Sequence, residues 1–338
     1  MSIQRIVLSL GIVVFAGALV AGATGAFFSD TETSTGNTFT AGALDLKVDS
    51  EAHYNGLVCV IEDKVGTWQA DGVTFVDNEA VPADHYPQPE DACEGTWAET
   101  DLGVEQQFFS LTDIKPGDEG ENTISLHVYD NDAWGRFIVN NITDLDNTCT
   151  EPENEAVDEN DVDLDPECDN TTSTPGVGEL AANVTFNSWL DQGNIPGFQC
   201  NNEAAVPQVG PCNEDPTEGD NILNGGTVGD DQIPTEVLFW TGETVDEVSE
   251  GPFELSEVLA AAYGLMGCSD VTGHTDYGVC HGLAQDGRMV GSTTYYFGLG
   301  WSVPDSVGNE AQTDSLNMDL VFEVEQHRNN PDPFALLP

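Results

Sequence analysis

From Leu316 to Val324 an apolar residue falls on every second position: Leu316, Met318, Leu320, Phe322 and Val324, with Asn317, Asp319 and Glu323 between them. Side chains of an extended chain point alternately to opposite faces, so a period of two demands a half-buried strand of an antiparallel sheet. Only Val321 breaks the alternation. The pattern recurs in Leu44, Leu46 and Val48, in Ile124, Leu126 and Val128, and in Tyr295, Phe297, Leu299 and Trp301. Helical spacing is clear once, over Pro252–Tyr263, with Pro in the first turn, Leu255, Val258 and Leu259 on one stripe, and Gly264 as a stop. These periods predict an all-β fold, an antiparallel β-sandwich with one short helix.

Two stretches of other character separate the strands. Residues 50–103 carry two cysteines with scattered Pro and Gly; residues 144–290 carry six cysteines and most of the irregular sequence. Both read as loop-rich, disulfide-containing insertions into a single sandwich domain over residues 27–338. A second small domain within the later stretch is the alternative, because the helix falls there. Its opening segment, Asp144–Glu167, holds eleven acids and no base. That composition suits a solvated loop, and it also supplies oxygen ligands for cations.

Residues 1–26 have the order of a secretory signal: Arg5 near the start, an apolar run from Ile6 to Val20, then small Ala23, Gly25 and Ala26 around a cleavage point. The apolar run is shorter than the roughly 20 residues a membrane span needs. The chain is therefore expected outside the cell, touching membrane only in transit; a retained anchor is the competing reading. In an exported chain an even number of cysteines argues for disulfides. The eight are Cys59, Cys93, Cys149, Cys168, Cys200, Cys212, Cys268 and Cys280. They allow 105 pairings, of which pairing between sequence neighbours is the simplest.

The formal charge is −54, from 61 acids against 7 bases. Such a chain is repelled by nucleic acid and anionic lipid. High salt or divalent cations would screen it. Asp130 and Asp132, in "DNDAWG", echo the start of a calcium loop without its final Glu. None of the six histidines lies in HExxH, the spacing that sets two zinc ligands one helical turn apart beside a general base. No catalytic residue stands out, and a structural role is expected.

The segment "AFFSDTETSTGNTFTAGALDLKVD" (Ala26–Asp49) resembles the mature N-terminus of the TasA/camelysin family, whose export uses a signal peptidase of the SipW type. "SLTDIKPGDEGENTISLHVYDND" (Ser110–Asp132) is similar to the family's Pro-Gly-Asp turn and the strand after it. "WSVPDSVGNEAQTDSLNMDLVFEVEQHRNN" (Trp301–Asn330) is similar to its closing region. The resemblance implies a jelly-roll-like sandwich that polymerises head to tail into extracellular fibres or biofilm matrix. The N-terminal strand of one subunit would enter the sheet of the next, with Phe27, Phe28, Phe39, Leu44 and Leu46 as docking residues. Strand addition satisfies a row of edge N–H and C=O groups and buries alternate side chains. Two other classes remain open: a monomeric, calcium-dependent adhesin or binding module, and a secreted metallopeptidase.

Overall fold

In the computed structural model, residues 29–33, 44–70, 86–103, 105–111, 113–147, 176–193, 197–198, 217–223, 227–228, 233–234, 236–265 and 282–335 are described. The strands are β1 (Ser29–Thr33), β2 (Asp45–Tyr54), β3 (Leu57–Glu62), β4 (Val65–Ala70), β5 (Trp97–Thr100), β6 (Glu119–Tyr129), β7 (Ala133–Asp146), β8 (Gly176–Val177), β9 (Thr185–Leu190), β10 (Thr227–Val228), β11 (Ile233–Pro234), β12 (Val237–Thr244), β13 (Phe253–Glu254), β14 (Thr293–Ser302) and β15 (Ser315–Gln326). The helices are α1 (Leu180–Asn183), α2 (Val245–Val248) and α3 (Leu255–Leu265). The fold is all-β and sandwich-like. One sheet has the order β1-β15-β7-β13, with β8 also on β7; the other has the order β12-β9-β14-β6-β2-β3-β4, with β5 also on β2. Among the described residues, strands β10 and β11 pair only with each other.

The predicted alternation is what closes the sandwich. Leu320, Phe322 and Val324 of β15 are buried, with Leu316 and Met318 packed at the margin. They meet Leu46, Val48, Ile124, Leu126, Tyr295 and Phe297 of the other sheet in one apolar core. Phe137 of β7 lies 5.2 Å from Trp240 of β12 across the layers; within its own sheet it lies 4.9 Å from Phe322, which is 5.9 Å from Phe108 of the loop before β6. Val321, the exception in the pattern, is also buried.

The stretches expected to be insertions are partly built into the sandwich. Strand β2 runs on past Ser50 to Tyr54, because Ser50, Ala52 and Tyr54 continue its buried face. Asn55 and Gly56 then turn the chain with φ of 45° and 77°, and β3 returns. Two successive positive φ values are what a tight hairpin requires, which is why Asn-Gly recurs there. Cys59 and Cys93 form a disulfide that ties β3 to the segment beyond β4. The later stretch supplies β9 and β12 to the larger sheet. Ser188, Trp189 and Leu190 are all buried, so β9 is covered on both faces and shows no clean period of two. The other six cysteines lie outside the described residues.

The helix begins later than its sequence suggests. Phe253 and Glu254 pair with Phe137 and Arg136 of β7 before α3 starts at Leu255. Phe253 also stacks on Phe239 at 4.9 Å, so tertiary pairing overrides the helical preference at that end. Leu255, Val258, Leu259 and Ala262 form its buried stripe.

The Pro116–Gly117–Asp118 turn is a structural knot. Gly117 has φ of 89°, and a Cβ there would lie 2.7 Å from Asp305 Oδ1. Asp118 is buried and accepts hydrogen bonds from the Tyr54 hydroxyl (2.8 Å), Asn55 Nδ2 (2.9 Å) and the Lys115 N–H (2.7 Å). Burial, then the nearby Asp118 charge, pushes the Tyr54 hydroxyl far above its ordinary pKa.

Candidate assembly edge

Strand β15 has two sides of different character. Toward β7 it is paired from Ser315 to Gln326, with one register shift between Asn317 and Asp319. Toward the outside, β1 covers only Val321–Glu325, in the register Ser29↔Glu325 to Thr33↔Val321. Among the described residues no strand pairs that outer side over Ser315–Leu320. The register keeps acids apart. Asp30 and Glu32 of β1 stand opposite Val324 and Phe322, while Glu323 and Glu325 of β15 stand opposite Thr31 and Ser29. Like charges directly opposite destabilise a ladder, so a one-residue slip here brings acid onto acid.

Strand β2 differs. It pairs with β6 over its whole length, Asp45↔Tyr129 to Tyr54↔Gly120, and its other side meets β3 and β5. Leu44 is 4% exposed and Leu46 fully buried. Leu44 and Leu46, expected as docking residues, are core residues of their own chain in this structure. Moving them out would lose roughly 1.5–3 kcal/mol of burial each, along with an interior ladder. Phe27, Phe28 and Phe39, like Ala23, Gly25 and Ala26 at the expected cleavage point, lie outside the described residues.

Asp130 and Asp132, the residues of the calcium expectation, both lie among the described residues. Asp132 accepts from Arg288 Nε (2.8 Å) through Oδ2 and from the Gly291 N–H (3.0 Å) through Oδ1, so both oxygens hold protein donors. Asp130 is an exposed turn residue with φ of 67°. Asp132 anchors the loop that carries Arg288 and Gly291.

Three of the six histidines lie among the described residues, each with its own carboxylates. His53 Nδ1 is 3.5 Å from Glu121 Oε2, and its Nε2 is 3.2 Å from Asn221 Nδ2. His127 Nε2 lies 2.6 Å from Asp49, with Thr294 Oγ1 3.0 Å from the other ring nitrogen. His327 is 3.2 Å from Asp286, its ring 4.8 Å from that of Trp134. Glu121 and Asp191 lie near one another under the segment that carries Gly219 and Asn221. Burial raises both, each to about 7, with His53 opposing the rise at Glu121 and the Gly219 N–H opposing it at Asp191. Sequence reading missed this pair, since Asp191 reaches the sheet only through strand β9. Among the described residues no three His, Cys, Asp or Glu side chains stand ready-made around a metal ion.

Comparison with known proteins adds one match. The family described as camelysin metallo-endopeptidase matches residues 3–58. The likeness to the camelysin family is confined to this N-terminal segment. The match spans β1 and β2 and ends at the second residue of β3, so the camelysin likeness covers both strands compared above and leaves the later chain unmatched. The family's description names a metallopeptidase; the described histidines do not converge on one point. No curated protein and no solved structure matches the chain.

Proposed function

We propose that the protein is an exported structural subunit of extracellular fibres or biofilm matrix, joined head to tail through the segment that ends in β1. The observation that carries this reading is the position of β1. Among the described residues it is a five-residue edge strand held on one side only, directly ahead of a strand, β2, that is locked in the core. A second copy's segment can satisfy the same outer side of β15 in the same register. A head-to-tail contact of this kind propagates when its rotation does not close.

The donor is then the chain ahead of Leu44, with Phe27, Phe28 and Phe39 as its large apolar residues, and β2 stays at home. Cleavage near Ala23, Gly25 and Ala26 by a SipW-type signal peptidase would free that segment. The test compares purified protein beginning at Ala26 with protein beginning at Leu44, by negative-stain microscopy across salt and calcium concentrations. Filaments from the longer form only are the expected result. Filaments from both forms, or from neither under any condition, would overturn the reading. Peptidase assays on the same material, with and without chelator, address the activity in the family's description.

A further inference from the structure

We propose that Asp144, Asp146 and Asp314, together with Glu179, form a calcium-class divalent cation site that fastens the ends of β7 and β15 to α1. Asp144 and Asp146 stand two residues apart at the end of β7, so their side chains leave the same face of the strand. Asp314 immediately precedes β15, whose Ser315 pairs with Leu145, and so enters the same corner. Glu179 precedes α1, and its side chain is hydrogen-bonded to Asp314. Three chain segments thus bring four carboxylates together. Among the described residues no Lys or Arg pairs with Asp144, Asp146 or Asp314.

Acids close together mean little in a chain with 61 of them. What sets this group apart is the state of its oxygens. Asp146 is 6% exposed, and its Oδ1 is sealed from solvent with no hydrogen bond. Asp144 and Asp314 each give one oxygen to a backbone donor, the N–H of Ala181 (2.8 Å) and of Glu179 (2.7 Å). Their Oδ1 atoms are sealed and unbonded like that of Asp146. A Cβ built on Gly178 would lie 2.4 Å from Asp144 Oδ1 and 3.0 Å from Asp314 Oδ2, so both carboxylates close on one point that only glycine leaves open.

A buried carboxylate without a donor or counter-charge is strongly unfavourable, and several facing one another more so. A cation resolves this. The ligands are all oxygens, which selects a hard ion. Several carboxylates in an irregular corner suit Ca²⁺, with its six to eight flexible ligands, over Mg²⁺, which uses one or two carboxylates and keeps its water. Binding turns the free oxygens inward from where they now stand, since no three gather at ligand distance beforehand.

The test is calorimetric titration of the chelator-stripped mature chain with CaCl₂ at fixed ionic strength, with MgCl₂ and NaCl as controls. One saturable site per chain is expected, in the range of about 10⁻⁴–10⁻³ M found for extracellular modules. Calcium should also raise Tm beyond what equal ionic strength of magnesium achieves. Asp146→Asn, which removes no hydrogen bond, should weaken calcium at least tenfold with an unchanged circular dichroism spectrum; Asp314→Asn is the second variant, and Asp332→Asn, on an exposed acid, is the control for simple charge loss. Calcium affinity unchanged in both site variants, or a response that magnesium reproduces in full, would overturn the proposal.

Discussion

Strands β1 and β2 follow one another in the chain and belong to different mechanical classes. Strand β2 is interior: ten of its residues pair with β6, and Leu46, Val48, Ala52 and Tyr54 fill the core beneath it. Strand β1 is peripheral, five residues on one side of β15. What separates them is hydrogen-bond position more than composition. An interior strand leaves only by breaking two ladders, whereas an edge strand exchanges one ladder for an equivalent one on another copy. A sequence pattern that marks a good strand therefore does not mark which strand can move.

The largest effect that sharpens this contrast lies in β2. Leu46→Asp buries an unpaired charge in the core and is expected to prevent folding, and Leu46→Ala to cost about 2–5 kcal/mol in chemical denaturation. Removing residues 26–43 should leave the cooperative transition in place; if that deletion unfolds the protein, the distinction between the strands fails.

Next is the Cys59–Cys93 bridge, which closes 34 residues next to the β2–β3 hairpin. Replacing both cysteines by serine should cost about 4 kcal/mol in the chain-entropy picture, read as a lower denaturation midpoint.

The pH dependence tests the outer side of β2. His53 of β2 stands opposite Glu121 of β6, with Glu51, Thr123, Asn221 and Asp191 around them. Because burial raises Glu121 from 4.5 to about 7 in the folded state, the unfolded chain releases this proton first. Stability from this group is therefore highest below about pH 4.5 and declines as pH rises toward 7, by on the order of 3 kcal/mol. Asp191, also raised to about 7, acts in the same direction. Glu121→Gln should flatten that slope between pH 5 and 7 in urea melts. An unaltered slope would show that burial does not raise this carboxylate in the folded chain.

The smallest effect on stability is the most telling for assembly. Thr31→Pro removes a backbone donor from β1. It should shift Tm little in the isolated subunit while reducing filament formation severely, as scored by light scattering. Equal loss of both would make β1 an ordinary part of the fold.

Much of the sandwich was legible because its strands carry apolar residues on one face and polar or small ones on the other. Leu316–Val324, Ile124–Val128 and Tyr295–Trp301 alternate, and each lies in a sheet where the alternation predicts. Strand β9 was not legible, since Ser188, Trp189 and Leu190 are buried on both faces by elements far away in sequence. The Asn55–Gly56 turn was a local signal for the β2–β3 hairpin that strand periodicity alone overlooks. Leu44 and Leu46 carried the right pattern for a strand and none for its place in the sheet, which is fixed by pairing with β6. The four carboxylates at the end of β7 come from three segments, and a motif read along the chain does not join them.

The most direct measurement uses the register Thr31↔Glu323. Protein carrying only Thr31→Cys is mixed with protein carrying only Glu323→Cys, assembled, and oxidised; only a strand from one chain lying on β15 of another can link them. Disulfide-bonded dimers in the assembled fraction are the expected result. A link that forms solely when both cysteines share one chain, with none between chains in assembled material, would contradict exchange of the first strand.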